Sequence, residues 1–553
     1  MLALPASQLA KLSDAAVLFQ CLIKWGDATP ERLVGEFAFI WWDRERRRLL
    51  LSRDILGYRP LYFHRGRGFV AFASMPSGLH ALADVPYEFD AEFVAESLAL
   101  LPRFDRRTHF SGIERVQPGY VISIEQSGDR TWRYWNPSPP PSKRNDTREY
   151  QEELRRLVDN AVAAQLRGAG KLASTHLSSG LDSSIVTSSA AIQFQPNRIL
   201  AFTAVPAKGF EGPVPSGVIA NEGPLAAAVA ELYPNIDQIF VESSAGSPFE
   251  ALAREHLYHQ QPIPNLENAV WARSINRLAH AHGAKVLLTG NLGNLSASYS
   301  GLEHLGWLVR RGRVAKALAL SRALAANGVR WHTILAQFAG PFLPHPVWAA
   351  AATLYGWVLD LRKYTAVSPA ALQNVKEAAR ACAYDLTYRP SSDPFSLRLD
   401  VFSEIDFGNY HKGVLAEWGV SLRDPLADRR VIEFCLATPA EEFVTGGMPR
   451  SLARRAFADR LPGPVVRSLP RGYQAPDWYI ALTRDQATLR HEAEAIARCA
   501  PAAAAMDLEW VQRAASDLPE GGWARNDVVM RYRYGLLRAI SVGHFMRKVT
   551  GVN

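Results

Sequence analysis

The hydrophobic positions change period part-way along the chain. From 33 to 135 they come in short runs separated by turns. "GEFAFIWWD" alternates, "RRLLLSRD" follows a charged turn, "RPLYFHRGRGFVAFAS" doubles back around Arg65, Gly66, Arg67 and Gly68, and "QPGYVISIE" leads towards "TWRYWNP". Short period-two runs bounded by Gly, Pro and charged residues predict antiparallel β structure. The proline-rich polar stretch "PSPPPSKRND" at 137–146 predicts a linker. Beyond it, "REYQEELRRLVDNAVAAQL" carries the spacing of an amphipathic helix. The runs "KLASTHL", "RILAFTAV", "IDQIFVES" and "AKVLLTG" then alternate with helical stretches at 221–232 and 268–282. That alternation predicts a parallel sheet with helices on both faces. Residues 301–390 are rich in Ala, Leu and Trp and predict a helical insertion, and the remainder also reads as helical. The expected fold class is α/β. Residues 1–136 form an antiparallel β-rich domain, 137–147 a linker, and 148–553 a parallel-sheet α/β domain with helical additions at 301–390.

Composition narrows this picture without changing it. A chain of 553 residues, 48% hydrophobic and 21% charged, suits a globular protein with more than one core. Its four cysteines lie far apart with no CxxC pair, which argues against a zinc ribbon or a disulfide scaffold. The start, "MLALPASQLAKLSDAAVL", is interrupted by Pro5, Lys11 and Asp14 and does not read as a signal peptide. No uncharged apolar run reaches the length of a membrane helix. A cytoplasmic location without a membrane partner is expected. The net charge of +8 is spread among acids, as in "WWDRERRRLLLSRD", so a solvated basic surface is expected rather than a nucleic-acid interface.

The candidate chemistry lies in "THLSSGLDSS", residues 175–184, where a strand-like run stops at small residues. In a parallel sheet such a loop sits at the carboxyl edge, where ligands bind. Small residues let backbone N–H groups approach a phosphate, and the next helix N-terminus adds partial positive charge. Ser178, Ser183 and Ser184 offer hydroxyl donors. Asp182 repels a bare phosphate but suits Mg²⁺, which bridges to one. The loop has no lysine, so it is not the GxxxxGK[ST] arrangement. A small-residue turn with an aspartate helix cap explains the same residues without a ligand.

"LSSGLDSS" resembles the SGGxDSS pyrophosphate loop of the asparagine synthetase family of ATP pyrophosphatases, with Ser179 where glycine is usual. Other segments resemble that family in order and spacing. "VGEFAFIWWDRERRRLLLSRDILGYRPLYF" is similar to part of its N-terminal glutamine amidotransferase domain, and "NEGPLAAAVAELY" to an acidic helix after the second strand. "AKVLLTGNLGN" is similar to a strand followed by TG-x-G-x-D, and "WGVSLRDPLADRRVIEFCLATPAEEF" to WGVEARVPFLD and its helix. The resemblance implies a class II amidotransferase-like first domain and an adenine nucleotide alpha hydrolase-like synthetase domain. It implies ATP and Mg²⁺ as cofactors, adenylation of a carboxylate with release of pyrophosphate, and amide formation with release of AMP. The nucleotide residues it implies are Leu177, Ser178, Ser179, Gly180, Asp182, Ser183, Ser184, Thr203, Gly290, Asn291 and Asn294. Asp182 and Asn294 are the implied metal ligands.

Departures from the family pattern refine the expectation. Glutamine-hydrolysing members use an N-terminal cysteine, whereas this chain begins Met1-Leu2 and its earliest cysteine, Cys21, falls in the helical stretch Ala15 to Trp25. The first domain is therefore expected to be truncated and inactive as a glutaminase. Asn294 stands where the family places a second metal-binding Asp. Asn291 stands where β-lactam-forming members carry Tyr, which weakens a β-lactam reading. In "VVRSLPRGYQAPDW", Arg471 and then Arg467 replace the family's cationic lysine as candidates for stabilising pyrophosphate charge. These departures resemble the lasso-peptide macrolactam cyclases. That likeness implies a precursor peptide whose N-terminal amine is joined to an Asp or Glu side chain. It also names a leader-peptide-binding protein and a transglutaminase-like protease as candidate partners. Asp393, Asp400, Glu404 and Asp406 are candidates for a general base, though a solvated helix face explains them equally, and Arg398 and Arg423 are candidates for steering a carboxylate. An ammonia-using asparagine synthetase and a non-catalytic nucleotide- or peptide-binding homologue are the competing readings.

Overall fold

The computed structural model describes residues 11–103, 105–138, 146–243 and 246–552. Most of the expected linker, 139–145, lies outside them. The alternating runs of the first part become strands β1 (Ala38–Asp43), β2 (Arg48–Arg53), β3 (Tyr62–Gly66), β4 (Phe69–Ala73), β5 (Glu114–Arg115), β6 (Tyr120–Glu125) and β7 (Gly128–Arg133). They pair antiparallel in two sheets, one in the order β1-β2-β6-β7 and the other β4-β3-β5. Cys21 is buried on the helix Asp14–Trp25, where burial pushes its thiol pKa up.

After helix α1 (Thr147–Gln165) the chain builds one parallel sheet from β8 (Leu172–His176), β9 (Arg198–Val205), β11 (Ile236–Glu242), β12 (Val286–Leu288) and β13 (Ser421–Arg423). The strand order is β11-β9-β8-β12-β13, with every pair parallel. β9 and β12 are largely apolar because both faces are covered, while the central β8 also carries Ser174 and Thr175, both fully buried. Helices α1 and α2 (Leu181–Phe194) pack on one side through Leu154, Val158, Ile185 and Val186. Helix α4 (Leu266–Ala281) covers the other through Ile275 and Ala279, against Leu200, Phe202 and Leu287. Helix α3 (Gly223–Ala230) joins α1 and α2 on their side through Ala226 and Val229, and a two-stranded parallel ribbon joins β10 (Val218–Ile219) to β14 (Arg471–Gly472). Residues 301–390 hold several helices, including Val314–Ala326, Trp331–Ala339, His345–Leu354 and Leu372–Ala381. No described helix is long and apolar enough to cross a membrane.

The order of the parallel strands defines the site. From β8 the chain moves one way to β9 and β11, then returns to place β12 on the opposite side of β8. The connections leaving β8 and β12 diverge there, opening a crevice at the carboxyl ends of the two strands. "SSGLDSS" follows β8 and "TGNLGN" follows β12, so the topology brings both to one crevice.

Candidate functional site

The crevice is a cavity of about 480 Å³. Leu177, Ser178, Ser179, Gly180, Asp182 and Ser183 line it from the first loop, and Gly290, Asn291 and Asn294 from the second. Arg471 and Gly472 close it from the opposite side. Three sequence candidates lie elsewhere. Ser184 is fully buried, and its hydroxyl donates to the carbonyl of Gly180 one helical turn back. Thr203 is also fully buried, where its hydroxyl accepts from Nε2 of Gln238 on the neighbouring strand. Arg467 ends the short helix Gly463–Arg467, exposed and outside the cavity lining.

The first loop is tied by its own hydroxyls. The Ser178 N–H donates to Ser183 Oγ (3.0 Å), the two hydroxyls lie 2.9 Å apart, and the Gly180 N–H donates to Ser178 Oγ (3.1 Å). Ser179, which stands in the glycine position, has a specific use here. Its N–H and its hydroxyl both donate to Glu222 Oε1, at 3.0 and 2.7 Å. Glu222 precedes α3 and is buried, and burial pushes its carboxyl pKa up while the Ser179 bonds oppose that shift.

Asp182 sits in the first turn of α2 and is 8% exposed. Its Oδ1 is buried without a hydrogen-bond partner among the described residues. Burial raises its pKa, and the nearby Arg450 charge and then the Ser298 hydroxyl oppose the rise. The glycines of "TGNLGN" are needed by this arrangement. A Cβ on Gly293 would fall 2.1 Å from Asp182 Oδ1, and one on Gly290 would fall 2.8 Å from the Asp182 carbonyl carbon. A buried carboxylate oxygen without a protein partner suits a hard cation, since an unsatisfied buried acceptor otherwise costs about 1–3 kcal/mol. Among the described residues no group of three or more His, Cys, Asp or Glu could hold a metal by itself. The fit is therefore to a cation shared with phosphate oxygens rather than to an all-protein site.

Several site residues carry no signal that the sequence reading picked out. Arg450 has a left-handed backbone (φ 62°) and lines the cavity just before the helix α5 (Ser451–Ala456). Burial lowers its pKa, the Asp182 charge opposes this, and Arg471 adds to it, so two cations share one wall. Arg454 sits one turn on, but its guanidinium donates to the carbonyls of Pro449, Val466 and Ser468 and thereby shapes the loop before Arg471. Three arginines within six residues, of which Arg450 and Arg454 line the cavity and Arg455 does not, give the sequence no means of separating them. Asp424, in "RDPLAD", accepts from the N–H groups of Leu292 and Leu426, each at 2.9 Å, and so fixes the second loop from behind. Burial first, and then the Asp182 charge, push its pKa up to about 7.

Other candidates have structural partners. Arg398 donates to the carbonyls of Pro394 and Cys435 and lies over the Tyr299 ring at 4.2 Å. Arg423 donates to the carbonyls of Gln165 and Arg167. Neither lines the cavity. Asp406 is engaged by Arg53 and Arg115, and Asp393 caps the helix Pro394–Glu404 by accepting from the Ser396 N–H. Asp400 and Glu404 line another cavity, and burial followed by the Asp400 charge pushes the Glu404 pKa up to about 7.

Comparison with known proteins gives two family matches. The profile described as asparagine synthase matches residues 153–530, and the one described as a glutamine amidotransferase domain matches residues 2–135. Among curated relatives, "Asparagine synthetase [glutamine-hydrolyzing] 3" of Bacillus subtilis is 32% identical over 190 residues, covering 34% of this chain and 30% of its own length. "Amidase chyE" of Penicillium rubens is 28% identical over 296 residues, covering 51% and 42%. A "Putative asparagine synthetase [glutamine-hydrolyzing]" of Mycobacterium bovis is 31% identical over 196 residues, covering 34% and 29%. The chain thus spans less than half the length of each of these relatives.

Proposed function

The chain belongs to the asparagine synthase family, and from that premise we propose that it is an ATP-dependent ligase. In this reading it adenylates a side-chain carboxylate, releases pyrophosphate, and then forms an amide with an amine and releases AMP. The finer form is a peptide macrolactam cyclase of the lasso type, in which one precursor peptide supplies both the Asp or Glu side chain and the N-terminal amine.

The observation that carries the reading is the switch-point cavity, whose lining brings together Asp182 with its unpartnered oxygen, Arg450, Arg471 and a serine-lined loop. Ser178, Gly180 and Ser183 would receive the triphosphate, and Asp182 would hold the Mg²⁺ shared with it. The cation's contribution when bound is to screen phosphate charge against the approaching carboxylate. Asn294 lines the same cavity and would contribute an amide oxygen or hold a metal-bound water. Arg471 and Arg450 would oppose the charge that builds on the departing pyrophosphate. Fixed cations of this kind act most strongly in a confined, partly desolvated cavity. With both reacting groups on one peptide, ring closure is effectively unimolecular, which removes several kcal/mol of orientation cost.

The test is pyrophosphate release with ATP and Mg²⁺, in the presence of acidic peptides, of aspartate with ammonia, and of neither. Release that depends on a peptide is expected. Asp182→Asn should lower it by about a hundredfold or more while leaving the melting temperature within a few degrees. Undiminished turnover in that variant removes the role assigned to Asp182. Release dependent on aspartate and ammonia replaces the peptide reading with small-molecule amide synthesis.

A further inference from the structure

The helices of 301–390 wall a cavity of their own. It measures about 980 Å³ and is lined from Trp331–Ala339, His345–Leu354 and Pro394–Glu404. That volume is near the top of the roughly 300–1,000 Å³ range of small-ligand sites. The cavity shares no lining residue with the crevice.

Much of its wall is aromatic. Trp348 and Trp357 meet edge to face with ring centroids 6.0 Å apart, and Tyr384 and Tyr388 do so at 6.4 Å. Trp357 is 41% exposed and Tyr355 56%, so a ligand can reach these rings from outside. Trp348 Nε1 already donates to the Thr387 carbonyl (3.0 Å), and the Tyr355 hydroxyl lies 2.7 Å from His332 Nδ1. These rings therefore offer π faces to an occupant rather than polar edges.

What the lining lacks is a donor. Gln337 Oε1 is buried without a hydrogen-bond partner among the described residues. Asp400 and Glu404 stand one turn apart on the helix Pro394–Glu404, and neither side chain has an ion pair or hydrogen bond among the described residues. Burial raises the Asp400 pKa and the Arg133 charge opposes the rise, but the Arg133 guanidinium donates to Ser403 Oγ (2.7 Å). Arg389, the arginine of the lining, donates to the Leu343 carbonyl and pairs with Asp385.

We propose that this cavity binds an organic amine, its primary ammonium group held at the Asp400–Glu404 pair with Gln337 as a further acceptor, and its apolar body packed against the tryptophan and tyrosine rings. A primary ammonium carries one positive charge, three donors and no acceptor. It answers two uncompensated carboxylates and an unpartnered amide oxygen together. The aromatic faces add cation–π attraction, which is strongest where the cation is desolvated. An acidic ligand brings a further like charge, and a neutral apolar one leaves the buried acceptor unmet. A quaternary ammonium has the charge but no N–H for Gln337. Because cavity and crevice have no residue in common, the site is independent of the adenylating reading.

The experiment is calorimetric titration of the full chain at about pH 8, above the Glu404 pKa. The probes are 4-phenylbutylamine, 4-phenylbutanol and spermine. The phenyl amine is expected to bind with a Kd on the order of 0.1 mM, about tenfold or more tighter than either the alcohol or spermine. Glu404→Gln and the more exposed Asp400→Asn should each remove most of that advantage, leaving alcohol affinity and melting temperature unchanged. Alcohol binding as tight as amine binding reduces the cavity to an apolar groove and overturns the proposal. Spermine binding as tight as the phenyl amine reduces it to an acidic surface and does the same. Amine affinity unchanged in both variants also overturns it. So does the absence of amine binding, which in a chain that sediments as a dimer assigns this face to a second copy.

Discussion

At the scale of single residues, the two loops of the crevice are coupled to their surroundings. Ser179 in the glycine position turns its hydroxyl to Glu222, and Gly293 leaves exactly the room that the Asp182 carboxylate fills. Glu255 is a different case, because nothing nearby satisfies it. It is 3% exposed on the helix Leu252–His259, its Oε2 has no hydrogen-bond partner among the described residues, and it lines a cavity next to the crevice. Burial pushes its pKa up to about 8, with the Glu417 charge adding to the shift and Arg273 opposing it. The folded state therefore keeps a proton that the unfolded chain loses from about pH 4.5 upward. The linkage gives a stability that falls as pH rises towards 8 and then levels off. Glu255→Gln removes that slope. Urea unfolding should find the two proteins nearly equal at pH 4.5 and the variant more stable at pH 8.5, by an amount on the order of 1 kcal/mol or more. Equal pH slopes would show that Glu255 is ionised in the fold.

At the scale of elements, the cationic loop is fastened to the site by very little structure. β14 is two residues long, pairing Arg471 with Val218 and Gly472 with Ile219, and the Tyr473 N–H extends the ribbon to the Ile219 carbonyl (2.9 Å). A Cβ on Gly472 would meet Glu222 Oε1 at 2.1 Å, so this glycine lets the ribbon lie against the acid that holds Ser179. Gly472→Ala should push the ribbon outward and carry Arg471 from the cavity wall. The expected result is a fall of about tenfold in the rate of pyrophosphate release, with ATP affinity within a few-fold of wild type. A rate equal to wild type would mean that the ribbon does not position Arg471. The sequence made the longer elements visible and these short ones invisible. The runs that became β1, β2, β6, β8, β9 and β11 are long enough to show a period or a sustained apolar stretch. β10, β13 and β14 span two or three residues, where no period exists, and the π-helical segment Val529–Leu536 has no pattern distinct from an α-helix. The same limit explains Ser183 and Ser184. Adjacent helical residues point about 100° apart, so only one of two neighbouring serines faces the loop, and composition does not say which. Thr203 was legible as a strand residue, but its side chain was already committed to Gln238.

At the scale of the whole molecule, the linker region does not separate two independent cores. Leu50, Val121 and Trp135 of the first part share one apolar cluster with Phe402, Ile432 and Leu436. Tyr62, Val94 and Phe110 share another with Trp478, Leu537 and Phe545. Between them, Asp406 accepts from Arg53 at 2.7 and 3.0 Å and from Arg115 at 2.8 Å, with all three side chains at 5% exposure or less. Burial alone would raise the Asp406 pKa, but the Arg53 and Arg115 charges overcome it and hold the carboxyl well below its usual range. Asp406 is thus a tie between the two parts rather than a base, and the bond pattern that shows this joins residues more than 290 positions apart. Breaking such a tie from one side leaves two buried guanidinium groups without their counter-charge, which costs about 3–5 kcal/mol. Asp406→Asn should therefore lower stability by that amount near pH 7, in a single unfolding transition, because the shared cores couple the two parts. The wild-type contribution is fully present above the usual carboxylate range, begins to fall as pH enters it, and is lost only as pH reaches the lowered pKa of the folded state, so the gap between wild type and variant should close in strong acid. Two separate transitions in the variant, with the synthetase part unfolding at its original midpoint, would show that the first part is an appendage and that the shared cores carry no cooperativity.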